Sequence, residues 1–222
     1  MTPRLAEQRR EHMVATQLAD RGIRSAAVLS AMRTVPREAF VAPGDEDHAY
    51  DDAARPIAQR QTLSQPYIVA LMAEAAELAP GDVVLEVGAG SGYAAAVLSR
   101  IAAHVVAIER NATLADAARQ RLAALGYRNV DIMQGDGTLG RPDGGRFDAI
   151  LVAAGGPEVP PALKAQLADG GRLVMPVGHP GRQRLVKITR LGEGGYAREV
   201  LADVTFVPLV GAQGWRSGAT VS

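Results

Sequence analysis

From Leu5 to Ala19 apolar residues recur at helical spacing, with Met13, Val14 and Leu18 set among charged neighbours, which predicts an amphipathic helix. Asp20-Arg21-Gly22 supplies its stop, because glycine takes a left-handed conformation at no steric cost. Ser25 is placed to cap a second short helix that runs to about Met32, before Pro36 interrupts. Residues 66–78 resume a helix. Between the helices, residues 43–60 are polar and irregular, with Gly44, two prolines and the acidic run Asp45-Glu46-Asp47. A loop of that length is usually functional or mobile, and we expect it to close as a lid over bound substrate.

After Pro80-Gly81-Asp82 the pattern changes. Val83 to Val87 is a short apolar run fitting a buried strand, and it stops at Gly88-Ala89-Gly90-Ser91-Gly92. A helix-forming run from Tyr93 to Ile101 follows, then a strand Val105–Ile108 ending in Glu109, and a helix Leu114–Leu125 ended by Gly126. Val130–Met133 reads as a third strand, ending in Gly135-Asp136-Gly137, and Phe147–Ala153 as a fourth. Strands alternating with helices predict an α/β, Rossmann-like fold: a mostly parallel sheet with helices on both faces. Beyond Gly170-Gly171 only strands are expected, over 172–177, 184–189 and 204–207, with Gly192-Glu193-Gly194-Gly195 as a hairpin turn. The chain thus divides into an N-terminal helical addition (1–79), a core (80–170) and a β-rich C-terminal portion (171–222) of one domain.

Composition narrows the function. The 24 basic and 24 acidic side chains cancel, so no bulk positive field gathers nucleic acid. With no cysteine, disulfides, thiolate metal sites and a thiol nucleophile are excluded. The four histidines lie far apart without metal-ligand spacing, and no metal is expected. No stretch approaches the ~20 apolar residues that span a bilayer, and the charged N-terminus lacks the apolar segment of a secretory signal. A cytoplasmic monomer with neither membrane nor nucleic-acid partners is the expectation.

Three strand ends carry the candidate chemistry. The glycine loop lets backbone approach a ligand at the positive end of a helix. Its Gly88-x-Gly90-x-Gly92 spacing differs from the Gly-x-Gly-x-x-Gly of pyrophosphate binders. Glu109, about 20 residues beyond the loop, sits at the offset of a carboxylate that accepts both hydroxyls of a ribose. Asp136 is placed to take an adenine amino group while the backbone at Gly137 reads the ring. Taken singly, each has an ordinary reading: a tight turn, a solvated strand end, a turn aspartate. Taken in order along adjacent strands, they indicate a nucleoside-bearing cofactor. The run Val84-Leu85-Glu86-Val87-Gly88-Ala89-Gly90-Ser91-Gly92 resembles the first signature motif of class I methyltransferases, which favours S-adenosyl-L-methionine over NAD.

A narrower resemblance extends beyond this motif. Met32-Arg33-Thr34-Val35-Pro36-Arg37-Glu38-Ala39-Phe40-Val41, Pro56-Ile57, Gln61-Thr62-Leu63-Ser64-Gln65-Pro66, Gly135-Asp136-Gly137, Pro157-Glu158-Val159-Pro160, residues 170–178 and Phe206-Val207-Pro208-Leu209-Val210-Gly211 are similar to the protein-L-isoaspartate O-methyltransferase family. The resemblance implies methyl transfer from S-adenosyl-L-methionine to the free α-carboxylate of an isoaspartyl residue in a damaged protein or peptide. It places Ser64 against the substrate carboxylate, with Gln61 and Thr62 beside the cofactor. On its own residues, Ser64 equally reads as the cap of the helix that follows. Ala58-Gln59-Arg60 stands where the family carries glycine-histidine-glycine, so Arg60 is either a cation for the substrate carboxylate or an exposed loop residue. That departure keeps open a relative that esterifies an aspartate in a dedicated peptide. Dinucleotide-dependent oxidoreductase, non-catalytic cofactor sensor and RNA methyltransferase are the rival readings.

Overall fold

The computed structural model describes residues 1–216; residues 217–222 lie outside the described part. Its centre is a seven-stranded sheet of order β5-β4-β3-β6-β7-β8-β9. The strands are β3 (Val83–Val87), β4 (His104–Glu109), β5 (Val130–Gln134), β6 (Phe147–Val152), β7 (Leu167–His179), β8 (Arg182–Arg190) and β9 (Tyr196–Val204). Parallel pairing runs from β5 to β7, and β7-β8-β9 is an antiparallel meander. The chain winds one way from β3 to β4 and the other way from β3 to β6. Strand order therefore reverses at the carboxyl end of β3, the place where open α/β sheets bind ligands.

Alternation along β3 separates two cores. Val84 packs with helices α3 (Pro66–Ala75), α4 (Tyr93–Leu98) and α5 (Ala112–Ala124), and with the N-terminal helices α1 (Pro3–His12) and α2 (Ala26–Thr34). Leu85 and Val87 face the opposite side, where the short α6 (Pro161–Ala165) contributes Leu163 and the C-terminal segment contributes Leu209. Helices do cover both faces, but unequally. The second face is closed mainly by turns and by the returning chain.

Several predicted boundaries moved for identifiable reasons. The N-terminal helix passes from α form to a π-helical stretch at Met13–Ala19, whose Met13, Val14 and Leu18 are buried. Gly170-Gly171 does not interrupt the strand. Gly170 at φ 76° and a register shift opposite Phe147 and Ala149 form an irregularity that β7 crosses, starting at Leu167. The last strand is Tyr196–Val204, not 204–207. As an edge strand with five consecutive exposed residues it carries no continuous apolar signal, whereas Val207 belongs to a loop over the site.

Residues 45–54 are tied to the N-terminal helices. Arg21 pairs with Asp52, the Gln17 amide donates to the Tyr50 carbonyl at 2.8 Å, and Ala49 and Tyr50 are buried. Only the hairpin of β1 (Arg55–Pro56) and β2 (Thr62–Leu63) projects over the glycine loop, where Ile57 lies beside Gly90. Its tip holds Gln59 and Arg60 at φ 60° and 57°, a region that favours glycine.

Candidate active site

Strands β3 and β4 end in Val87 and Glu109, which face a cavity of about 370 Å³, and the loops after β5 and β6 add Gly137, Ala153 and Ala154 to its lining. At the end of β3, Gly88, Gly90 and Gly92 all have positive φ (91°, 54° and 89°). The loop therefore demands glycine for its backbone path, and it turns the chain directly into α4. Gly92 occupies the N-cap position of α4.

Glu109 closes β4 with its side chain folded back. One carboxylate oxygen accepts the Gly90 N–H and the other the Asn111 N–H, each at 2.9 Å. Glu109 lines the cavity, and each oxygen retains the capacity to accept a second hydrogen bond, as two vicinal hydroxyls would require. Glu86 is fully buried, lines the same cavity, and leaves Oε2 without a partner. Burial, reinforced by the nearby Glu109 charge, pushes its carboxyl up to about 8. Ser91 also lines the cavity with an unpartnered, buried hydroxyl. Two buried polar atoms without partners, on residues that line one cavity, fit a ligand that brings donors and positive charge to it.

Asp136 is placed differently from the expectation. Its Oδ1 accepts from the Thr138 N–H and hydroxyl, and its Oδ2 accepts the Ala212 N–H at 2.7 Å. Burial alone would raise this carboxyl, but these bonds hold it below the usual carboxylate value. The side chain is thus a clasp for the C-terminal segment, and Gly137 is the residue that lines the cavity. Gly211 allows this: a Cβ there would overlap Asp136 and Thr138. Residues 207–210, held by the clasp, form one wall.

A second cavity lies against β8 and the start of α3, lined by Gln65, Ile68, His179, Arg182 and Arg184 among others. Thr62 and Ser64 line both cavities. Gln61 borders the first. Ser64 does not cap α3, since the N-cap position is Gln65 and no side chain bonds there. Its hydroxyl is free at the junction. Arg60 is exposed and lines neither cavity.

Comparison with known proteins decides the family. Residues 8–214 match the family described as protein-L-isoaspartate(D-aspartate) O-methyltransferase (PCMT). The chain belongs to this family. It is 61% identical over 205 residues to the protein-L-isoaspartate O-methyltransferase of Rhodopseudomonas palustris (strain ATCC BAA-98 / CGA009), covering 92% of this chain and 94% of the relative. It is 58% identical over 210 residues to protein-L-isoaspartate O-methyltransferase 2 of Pelobacter propionicus, with 94% and 93% covered. Among solved structures, a protein-L-isoaspartate O-methyltransferase superposes with TM-score 0.83 at 30% identity, covering 92% of this chain and 67% of that one. A crystal structure from Plasmodium falciparum described as a protein-L-isoaspartate O-methyltransferase in complex with S-adenosyl-L-homocysteine gives TM-score 0.78 at 26% identity, over 90% and 98%.

For a protein-L-isoaspartate O-methyltransferase family member, the cavity residues that sequence reasoning passed over are informative. Asn111 and Tyr93 carry no glycine or acidic signature, residues 207–210 were visible only as part of a family-like run, and the fold brings all of them to the cavity. Arg37 was visible as part of a family-like run but had no role. It is fully buried and reaches the Ser64 carbonyl.

Proposed function

We infer that the chain transfers the methyl group of S-adenosyl-L-methionine to the free α-carboxylate of L-isoaspartyl residues in damaged proteins and peptides. The observation that carries this reading is the shared Thr62–Ser64 boundary between a cavity suited to a nucleoside cofactor and a second, open cavity. A donor held in the first cavity and a carboxylate entering from the second would meet there.

The residues present fit the cofactor. The Glu109 carboxylate would hold ribose hydroxyls, the backbone at Gly137 would border the base, and Glu86, Ser91 and the loop amides would face the charged tail. Asp136 would act on that site through the 207–210 wall that it clasps. The cofactor supplies an electrophilic methyl on a sulfonium, so no base is asked of the protein.

A substrate carboxylate is already ionised at neutral pH, and catalysis is then mainly alignment and exclusion of water. One carboxylate oxygen forms the new bond to the methyl carbon as the carbon–sulfur bond breaks. Ser64 would donate its hydroxyl hydrogen to the other oxygen. The following backbone amide nitrogen then attacks the ester carbonyl, and methanol leaves with the amide proton, giving a succinimide whose hydrolysis restores some normal aspartate. Arg60 would act at most on the peptide rim, since its exposed position favours neither cavity.

The test is transfer of labelled methyl to an isoaspartyl peptide and to its aspartyl twin. Base-labile label on the isoaspartyl peptide alone, lowered about 10- to 100-fold in kcat/KM by Ser64→Ala, supports the reading. No label on either peptide, with S-adenosylhomocysteine still bound, would move the activity to another carboxylate.

A further inference from the structure

The largest fully buried side chain outside the cofactor cavity is a cation, Arg37. Its Nε donates to the Ala49 carbonyl and its Nη2 to the Ser64 carbonyl, each at 2.7 Å. The guanidinium carbon lies 4.7 Å from the centroid of the Tyr93 ring, and Tyr93 itself lines the cofactor cavity. Nη1 has no hydrogen-bond partner. No carboxylate is bonded to this guanidinium among the described residues: the adjacent Glu38 instead accepts the Tyr50 hydroxyl and pairs with Arg10.

Burying a charge without a counter-ion is expensive, and two carbonyls with the neighbouring Tyr93 and Tyr50 side chains compensate only part of that cost. A neutral amide could satisfy the same carbonyls, so the bonds alone do not explain why a cation is there. The missing negative charge has an evident source. On the reading above, the anionic reactant arrives at Ser64, whose carbonyl accepts from the guanidinium.

We propose that Arg37 is a positioning residue for methyl transfer: it fixes the Ser64 main chain at the junction of the two cavities and supplies the positive charge that draws the substrate carboxylate there. This rests on the isoaspartyl reading above. Arg37 touches no reacting atom and acts through Ser64 and through its field, which the low-dielectric interior leaves poorly screened. Carboxylate and sulfonium neutralise each other during transfer, so a fixed cation favours the arriving anion more than the transition state. Its loss is therefore felt in peptide KM more than in kcat.

The experiment compares the wild type with Arg37→Gln and Arg37→Lys, reading peptide KM, kcat, S-adenosylhomocysteine Kd and Tm. Gln is expected to raise the KM for the isoaspartyl peptide about tenfold, with kcat and the Kd within about threefold, and Lys to recover most of the KM. If Gln fails to fold, citrulline at position 37 of a semi-synthetic full chain replaces it. Citrulline keeps the donors for both carbonyl bonds and exchanges the unpartnered nitrogen for an oxygen, which removes the charge. In a chain without cysteine, a ligation cysteine is unique and can be desulfurised to alanine. Citrulline is then expected to show the same tenfold rise with Tm unchanged. A neutral variant with wild-type KM overturns the proposal alone, as does a Lys variant no better than Gln. A wild type that leaves isoaspartyl peptide unmethylated overturns the underlying reading and the proposal together.

Discussion

At the scale of single residues, the site is defined by polar groups left deliberately unanswered. Glu86 shows the consequence most directly. Its carboxyl, ordinarily near 4.5, is pushed up to about 8 by burial and then by the Glu109 charge, so the folded chain holds a proton that the unfolded chain gives up. Stability from this group is present in full below about 4.5 and declines as pH rises, being lost above about 8. A cationic ligand reverses the preference by favouring the ionised form. We therefore expect cofactor binding near pH 7 to release a proton, seen as a buffer-dependent heat in titration calorimetry, and Glu86→Gln to abolish it. Equal heats for the wild type in buffers of different ionisation enthalpy would count against this. Asp136 and Gly211 offer a second check. Gly211→Ala should cost about 1–3 kcal/mol by overpacking the clasp and weaken S-adenosylhomocysteine binding, because the wall at 207–210 loses its anchor. An unchanged Kd alongside a lowered Tm would separate the clasp from the cofactor.

At the scale of elements, the β1–β2 hairpin and the edge strand β9 are where local sequence and tertiary structure part ways. The hairpin keeps a backbone path that favours glycine at Gln59 and Arg60, both with positive φ. Non-glycine residues there cost roughly 1–2 kcal/mol each. Arg60→Gly is accordingly expected to leave Tm equal or higher, and to leave activity on isoaspartyl peptide within a few-fold of wild type, since Arg60 lines neither cavity. A large rise in peptide KM in that variant would give Arg60 the substrate role that its position does not support. Within the 43–60 stretch, Ala49 and Tyr50 are buried against the N-terminal helices, so we expect closure over substrate to involve the hairpin and not the whole stretch. Faster proteolysis near Arg60 without ligand than with cofactor and peptide is the outcome expected of a mobile tip.

At the scale of the whole molecule, the cavity proposed for the cofactor is assembled from β3, β4, the loops after β5 and β6, the hairpin and the C-terminal segment. A ligand that bridges so many elements should stabilise the fold as a unit. At 100 times its Kd it adds about 2.7 kcal/mol, and at about 2–4 °C per kcal/mol for chains of this size the Tm should rise roughly 5–10 °C. S-adenosylhomocysteine is expected to give that shift and NADH none. A shift with NADH instead would restore the oxidoreductase reading. Among the described residues no helix is long and apolar enough to cross a membrane.

What the sequence determined alone is the part written in local rules. Short apolar runs marked the parallel core strands, because strands buried on both faces are mostly apolar. The positive-φ glycines marked the loop, because other residues there are strained, and the offset of Glu109 followed from the length of one strand–helix unit. Tertiary structure decided the remainder. Asp136 reads as a base-binding acid until the C-terminal segment returns from 76 residues away and takes its oxygens. Ser64 reads as a helix cap until two cavities meet beside it. Arg37 reads only as part of a family-like run until packing buries it completely. In each case the side chain's role depends on which distant backbone groups reach it first, and spacing along the chain does not encode that.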